Sequence, residues 1–496
     1  MVSVTRPAVA VAAPVLLAAF PALSLFAQNQ TDVSVSVLAW PLVLSVGGAL
    51  VTFLVVLLVT RRADRAGVLA SLAALAILYF GVAFPSAGTG TAAAWVLGFA
   101  LAAALLLKGM RDLWPVVLLL AVAAAVMTLP RAAAVVRFQA GHHPPAASDP
   151  RWWPSPLPPV PAATGTRPDV FVLIPDDYAR ADILRQYFQY DDTPFLHALT
   201  ARGFAVDVRV RSPYSDSESN IASTLNLDYL SRFPAVLGPQ SQDVRPVKSA
   251  IRDNRAARLL AAAGYDYVHL DTDEVTFQGS NPGIPVDAPP DSFANLWLSK
   301  SLLHVVGGPL GFDASTQHAR YRASVRRVFG QLAAIRRHGR PLFVVFHTLL
   351  PHDPYVFRAD GRPARFGDTT DRSLSGPAGR RAYLEQLAFL HGQLLTAVDA
   401  IRAQAPTPPV IVLQSDEGFQ ADPADFGEAA MADIRVKGLF ALLLPGSTPA
   451  LPEPPSTVNT LRLVFNRVLG TRYPLLPSVS YPERDLPYDY RPMTVR

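Results

Sequence analysis

The chain has 496 residues, half of them hydrophobic and 17% charged, with a mean hydropathy of +0.24 and a formal net charge of +5. That length exceeds one ordinary domain, and the apolar balance implies a membrane protein with a soluble part. The basic excess is small and falls largely in short membrane loops, which excludes a nucleic-acid surface; the absence of cysteine excludes disulfides, thiolate metal sites and a cysteine nucleophile.

Five apolar stretches open the chain, roughly Ala8–Ala27, Leu38–Thr60, Ala66–Phe84, Thr91–Leu107 and Trp114–Leu129. Each is near the ~20 residues a spanning helix needs, although the fourth and fifth are short. The first resembles a signal peptide in length, but four more stretches follow it and its Ala-rich end lacks a clear cleavage context, so a retained helix is expected. Arg61, Arg62 and Arg65 lie between the second and third stretches, and Lys108 and Arg111 between the fourth and fifth, whereas the intervening loops carry no Lys or Arg. The positive-inside rule then places the basic loops in the cytoplasm and everything after Arg131 outside. With almost no ionisable residue inside the spans, residues 1–137 read as an anchor in the plasma (inner) membrane rather than a transporter.

Residues 138–167 are Pro-rich and read as a stiff extended linker. Within it, His142 and His143 read as a solvated pair, and Trp152 and Trp153 fit either the bilayer surface or packing on the soluble domain.

From 168 to 496, strand-like and helix-like runs alternate, which predicts a mainly parallel sheet with helices on both faces. Strands are expected over Val170–Ile174, Ala205–Val210, Tyr267–Leu270, Pro341–His347, Val410–Gln414 and Gly438–Leu444, and helices over Thr193–Arg202, Asn254–Ala263, Arg380–Gln404 and Thr457–Leu469. Two of these strands run into paired carboxylates, Asp176-Asp177 and Asp416-Glu417. Open α/β sheets place their chemistry at the carboxyl ends of strands. If the two strands are neighbours, four carboxylates meet at one edge, and a divalent cation is the simplest counter-charge.

Two further stretches carry chemistry. In Ser212-Pro-Tyr-Ser-Asp-Ser-Glu-Ser-Asn220, hydroxyl residues precede an apolar helix-like run, so Ser215 or Ser217 falls at a helix amino terminus, where free N–H groups lower the energy of an anion. That suits a nucleophilic alkoxide that a metal also activates, although the stretch taken alone reads more simply as plain capping serines. In Phe346-His-Thr-Leu-Leu-Pro-His-Asp-Pro354, His347, His352 and Asp353 follow an apolar strand, where they can bind an anionic oxygen or protonate a leaving group.

Together with the ending Ser456-Thr-Val-Asn-Thr-Leu-Arg462, these ordered motifs resemble the alkaline phosphatase superfamily, in particular its sulfatase-like membrane branch of lipoteichoic acid synthase and phosphoethanolamine transferase type enzymes. The resemblance spans roughly residues 168–480. It implies a metal-dependent enzyme acting on phosphate or sulfate esters, with Ser217 where the family carries its nucleophile, Asp176, Asp177, Asp416 and Glu417 as metal ligands, and His347 and His352 touching the substrate group. Glu417 replaces the family's His or Asn, which makes the expected site all-oxygen and favours one Mg, Mn or Ca ion over Zn. Ser217 is followed by Glu-Ser-Asn rather than the formylglycine signature, so a formylglycine sulfatase is not expected. The expected substrate is an envelope lipid or glycan phosphoester, cleaved or transferred. A sulfate-ester hydrolase and a non-catalytic envelope-binding relative are the alternatives, and nothing in the pattern specifies an oligomeric state.

Overall fold

The computed structural model describes residues 5–85, 88–153, 157–161, 167–272, 292–306, 314–336, 339–364, 377–420, 427–446, 455–482 and 484–493. The chain divides into two compact units, residues 1–143 with 291–317, and residues 144–290 with 318–496.

The first unit is helical: α1 Arg6–Asn29, α2 Ala39–Thr60, α3 Ala63–Leu78, α4 Phe80–Ala83, α5 Thr89–Gly109 and α6 Trp114–Gly141. Among the described residues, four helices are long and apolar enough to cross a membrane, not five. The third expected span, Ala66–Phe84, is interrupted at Tyr79, between α3 and α4. The break follows from where its backbone hydrogen bonds go. The Ile77 carbonyl accepts from the Leu302 amide at 2.7 Å, the Gly81 amide donates to the Lys300 carbonyl at 3.0 Å, and the Ala76 carbonyl accepts from the Trp95 indole at 2.9 Å. Polar backbone freed inside an apolar layer needs such partners. One comes from Trp95 on α5, and the other two from Lys300 and Leu302, which link two short helices, Ser292–Ser299 and Leu303–Val306, that the chain contributes between two strands of the second unit. Phe293 and Trp297 are buried in one apolar cluster with Leu17, Phe26 and Leu78. The stretch 168–496 is thus not one continuous domain by contact: residues 291–317 group with the helices.

The second unit is built on a six-stranded sheet in the order β2-β6-β5-β1-β4-β3, with β1 Val170–Asp176, β2 Ala205–Val206, β3 Asp266–Asp271, β4 Leu342–Pro351, β5 Val410–Gln414 and β6 Phe440–Leu443. The sheet is mixed rather than mainly parallel throughout. The run β5-β1-β4-β3 is parallel, and β6 and β2 complete it antiparallel. In β1, side chains alternate between two cores: Phe171 and Leu173 pack with Val344, Phe346 and Leu413, whereas Val170, Val172 and Ile174 pack with Val345, Val412 and Val458. Burial on both faces is why the central strands read as unbroken apolar runs. Trp152 and Trp153 belong to the second of these cores, their rings 4.4 and 5.7 Å from that of Phe233. His142 and His143 are exposed.

Candidate active site and metal centre

Four adjacent parallel strands deliver one titratable side chain each to the same edge. β1 ends in Asp176, β3 ends in Asp271, β4 carries His347, and Asp416 follows β5. Register places His347 opposite Asp271 on one side and Ile174 on the other. Ser415 ties the strand ends together: its hydroxyl accepts from the Tyr178 amide at 3.2 Å and donates to the Pro175 carbonyl at 3.1 Å.

Asp176, His347 and Asp416 are all buried, and one donor atom from each lies within 4.8 Å of the others. Oδ1 of Asp176 and Oδ2 of Asp416 are enclosed without a hydrogen-bond partner among the described residues. Buried carboxylate oxygens are costly unless something cationic or hydrogen-bonding meets them. Burial, then the Asp416 charge, pushes the Asp176 pKa well above the usual carboxylate range, opposed by His347. Nδ1 of His347 lies 3.1 Å from Oδ1 of Asp271, which turns Nε2 toward Oδ2 of Asp416, 3.9 Å away. Burial alone would lower the His347 pKa; Asp271 and Asp416 outweigh it and raise the value well above that of free histidine. Two carboxylates and one imidazole converging on one point form a donor set that fits a divalent cation, with Asp271 orienting the histidine from behind.

The remaining expected residues divide into two groups. Ser217 is the first residue of the helix Ser217–Asn226, and Asp216, rather than a serine, caps it by accepting from the Ser219 amide at 2.8 Å. The Ser217 hydroxyl donates to Oε1 of Glu417 at 3.2 Å, and Oε2 of Glu417 pairs with the buried Arg435 guanidinium at 3.1 Å. Glu417 is therefore engaged with Ser217 and Arg435, and it lies outside the three-residue donor cluster. Burial raises its pKa well above the usual range, opposed by Arg435.

Asp177 also stands apart from the cluster. Its left-handed backbone, φ 61°, is a conformation Asp tolerates better than most residues. The turn aims its carboxylate at the Gln420 amide, and burial lifts its pKa to about 6 despite the neighbouring His352. His352 is near Asp177 and is engaged at both ring nitrogens, with the Asp353 carbonyl at 2.6 Å and Oε1 of Gln420 at 3.2 Å. Burial would lower its pKa, but Asp177 and Asp353 raise it. Asp271 and Arg435 were not singled out from sequence. Asp271 obeys the same rule as Asp176, a carboxylate closing an apolar strand, but its importance depends on β3 lying beside β4.

The expectation of an all-oxygen site is not met by this geometry. Glu417 leaves the donor set and His347 enters it, so an imidazole nitrogen stands among the donors and the ground for disfavouring zinc is removed.

No family model matches the chain, and no curated protein matches it. Among solved structures, the chain is similar to the C-terminal periplasmic domain of EcEptC from Escherichia coli, at 14% identity over 64% of this chain and 87% of that one, with a TM-score of 0.37. It is similar also to the C-terminal periplasmic domain of the phosphoethanolamine transferase EptC from Campylobacter jejuni (12% identity, 56% and 79% of the chains, TM-score 0.33). A third match is BT1596, a 2-O GAG sulfatase (12% identity, 62% and 72%, TM-score 0.36).

Proposed function

We propose that the second unit is a metal-dependent phosphoester hydrolase or transferase, with Ser217 as nucleophile, acting on envelope lipid or glycan esters outside the plasma membrane. The observation that carries this reading is the juxtaposition of a helix-start hydroxyl, a carboxylate that accepts its proton, and a neighbouring Asp-His-Asp donor cluster.

Asp176, His347 and Asp416 would hold one divalent ion, which supplies positive charge against the ester oxygens and the serine oxygen. Ser217 Oγ forms the new bond to phosphorus as its proton passes to Oε1 of Glu417, and the bond from phosphorus to the leaving oxygen breaks. Arg435 holds Glu417 in the orientation that receives the proton. The free amides at the start of the Ser217 helix favour negative charge on the attacking oxygen. Water or an acceptor hydroxyl then attacks phosphorus, returns Ser217 and completes hydrolysis or transfer. Asp177 and Asp353 raise the pKa of His352 and so favour its protonated, donating form, but it must leave Gln420 to reach a substrate oxygen.

Mutation of Ser217→Ala in the full-length, metal-loaded protein tests this. The expected result is loss of bis(p-nitrophenyl) phosphate cleavage by a factor on the order of 10³ or more, as for removal of a nucleophile. Undiminished turnover excludes the mechanism. Faster wild-type turnover of p-nitrophenyl sulfate than of the phosphodiester would move the assignment to sulfate esters.

A further inference from the structure

The carboxyl-terminal segment places three tyrosines, Tyr481, Tyr488 and Tyr490, around a cavity of about 430 Å³ that also meets Gln240, Asp489 and Arg491. The rings are fixed from behind. Tyr481 stacks on Tyr214 with centroids 5.5 Å apart, and its amide donates to the Pro213 carbonyl at 2.8 Å. The Tyr490 ring lies 5.1 Å from that of Tyr214, and the Tyr488 hydroxyl donates to the Asp243 carbonyl at 2.5 Å. An aromatic wall held in this way loses little freedom when a ligand arrives.

The polar lining selects the ligand class. Asp489 and Arg491 form a forked ion pair at 2.5 and 2.8 Å, so they cancel each other; among the described lining residues no net charge remains to attract an anion. A purely apolar ligand would leave Gln240 and the ion pair facing it unsatisfied. A pyranose ring satisfies both requirements, with its C–H face against a tyrosine ring and its hydroxyl edge against the amide and the carboxylate–guanidinium pair. The cavity also adjoins the proposed nucleophile's helix. Tyr214, on which Tyr481 stacks, is tied to that helix: its amide donates to Oδ1 of Asn220 at 2.9 Å and its carbonyl accepts from Nδ2 of Asn220 at 2.6 Å.

We infer that this cavity is a saccharide subsite for a neutral hexopyranose, belonging to the glycan portion of the ester or to a glycan acceptor. Its link to catalysis rests on the proposed role of Ser217; binding of the sugar does not.

Saturation-transfer NMR on the full-length protein in nanodiscs, with maltotriose and N,N′-diacetylchitobiose as probes, tests it. Ring-proton transfer is expected from at least one probe, equally in wild type and Ser217→Ala. In the exposed-site variant Gln240→Ala, alone and with Asp489→Ala, affinity should fall about tenfold, the worth of one to two lost hydrogen bonds. No transfer from either probe, or equal transfer in the double variant with its melting curve unchanged, overturns the subsite. Sugar binding in a Ser217→Ala protein that still cleaves phosphodiester would instead leave the subsite standing and remove the mechanism.

Discussion

His347 lies between two carboxylates with different roles. Asp416 shares its donor cluster, and Asp271 sits behind it at 3.1 Å from Nδ1, which fixes the tautomer that leaves Nε2 for a metal. Asp271→Asn keeps the shape and removes the charge. It should lower affinity for Zn²⁺ or Mn²⁺ by about 10–100-fold, read by calorimetric titration of the full-length protein, while the unfolding midpoint of the metal-free protein changes little. Unaltered affinity would show that Asp271 plays no part in orienting the histidine. Asp192 offers a separate test, remote from that cluster. It accepts from the Tyr178 hydroxyl at 3.0 Å, and burial lifts its pKa to about 7; the nearby His391, stacked on Phe195 at 4.0 Å, is pushed down to about 3 by burial. The folded pKa of Asp192 is thus above its unfolded value of about 4. The unfolded chain ionises first, so this carboxyl costs nothing below pH 4, becomes progressively destabilising between about pH 4 and 7, and is constant above. Asp192→Asn should therefore gain stability relative to wild type as pH rises from 5 to 8, by at most about 2–3 kcal/mol, seen as a pH-dependent difference in unfolding midpoints. Parallel curves for the two proteins would contradict the assignment.

Strand ends were the most legible elements in the sequence. An apolar run closing in Asp announces β1 and β5 alike, because both strands are buried on both faces and end where side chains converge. The antiparallel pairing of β2 and β6 was not legible, since β2 is only Ala205–Val206 and its partner is set by tertiary contact. The partners of Glu417 were not legible for a similar reason. Its sequence position matches a ligand, but Arg435, eighteen residues on, turns it toward Ser217. The turn that permits this depends on Gly418. A Cβ there would lie 2.2 Å from the Ile434 carbonyl oxygen and 2.5 Å from that of Lys437, so Gly418→Ala must push the Glu428–Arg435 helix away from Glu417. It should cost about 2–4 kcal/mol and lower phosphodiester turnover disproportionately to the loss of fold. The broken third span is a comparable case. Apolarity alone read Ala66–Phe84 as one helix, while the partners of Ile77 and Gly81 come from residues more than two hundred positions later. At Gly81 a Cβ would sit 2.6 Å from the Ser299 carbonyl oxygen and 2.8 Å from the Lys300 carbonyl carbon. Gly81→Val should expel the Ser292–Val306 segment and expose Lys300, raising its rate of trypsin cleavage in membranes by about tenfold or more. Protection equal to wild type would show that the segment is not held there.

At the scale of the whole molecule, sidedness follows from one contact and one count. The Arg62 guanidinium donates to the Arg111 carbonyl at 2.8 Å, and the Asp64 carboxylate accepts from the Leu113 amide at 3.3 Å, so the two basic loops lie together at one end of the helical unit. If α5 crosses the bilayer, the chain between these loops must cross back, and α3 with its one-turn continuation α4 is the element available to do so. Along the chain, α6 alone, itself long and apolar enough to span, separates the second basic loop from residue 144 onward. The positive-inside rule predicts that the basic loops are cytoplasmic, and on that reading the proposed site faces the outside of the cell. Because the natural chain contains no cysteine, every introduced thiol reports a single position. In intact cells a membrane-impermeant maleimide should label Gln240→Cys and Asp32→Cys, and should reach Arg65→Cys only after permeabilisation. Labelling of Arg65→Cys in intact cells, with Gln240→Cys protected, would invert the molecule and place the proposed site on the cytoplasmic side.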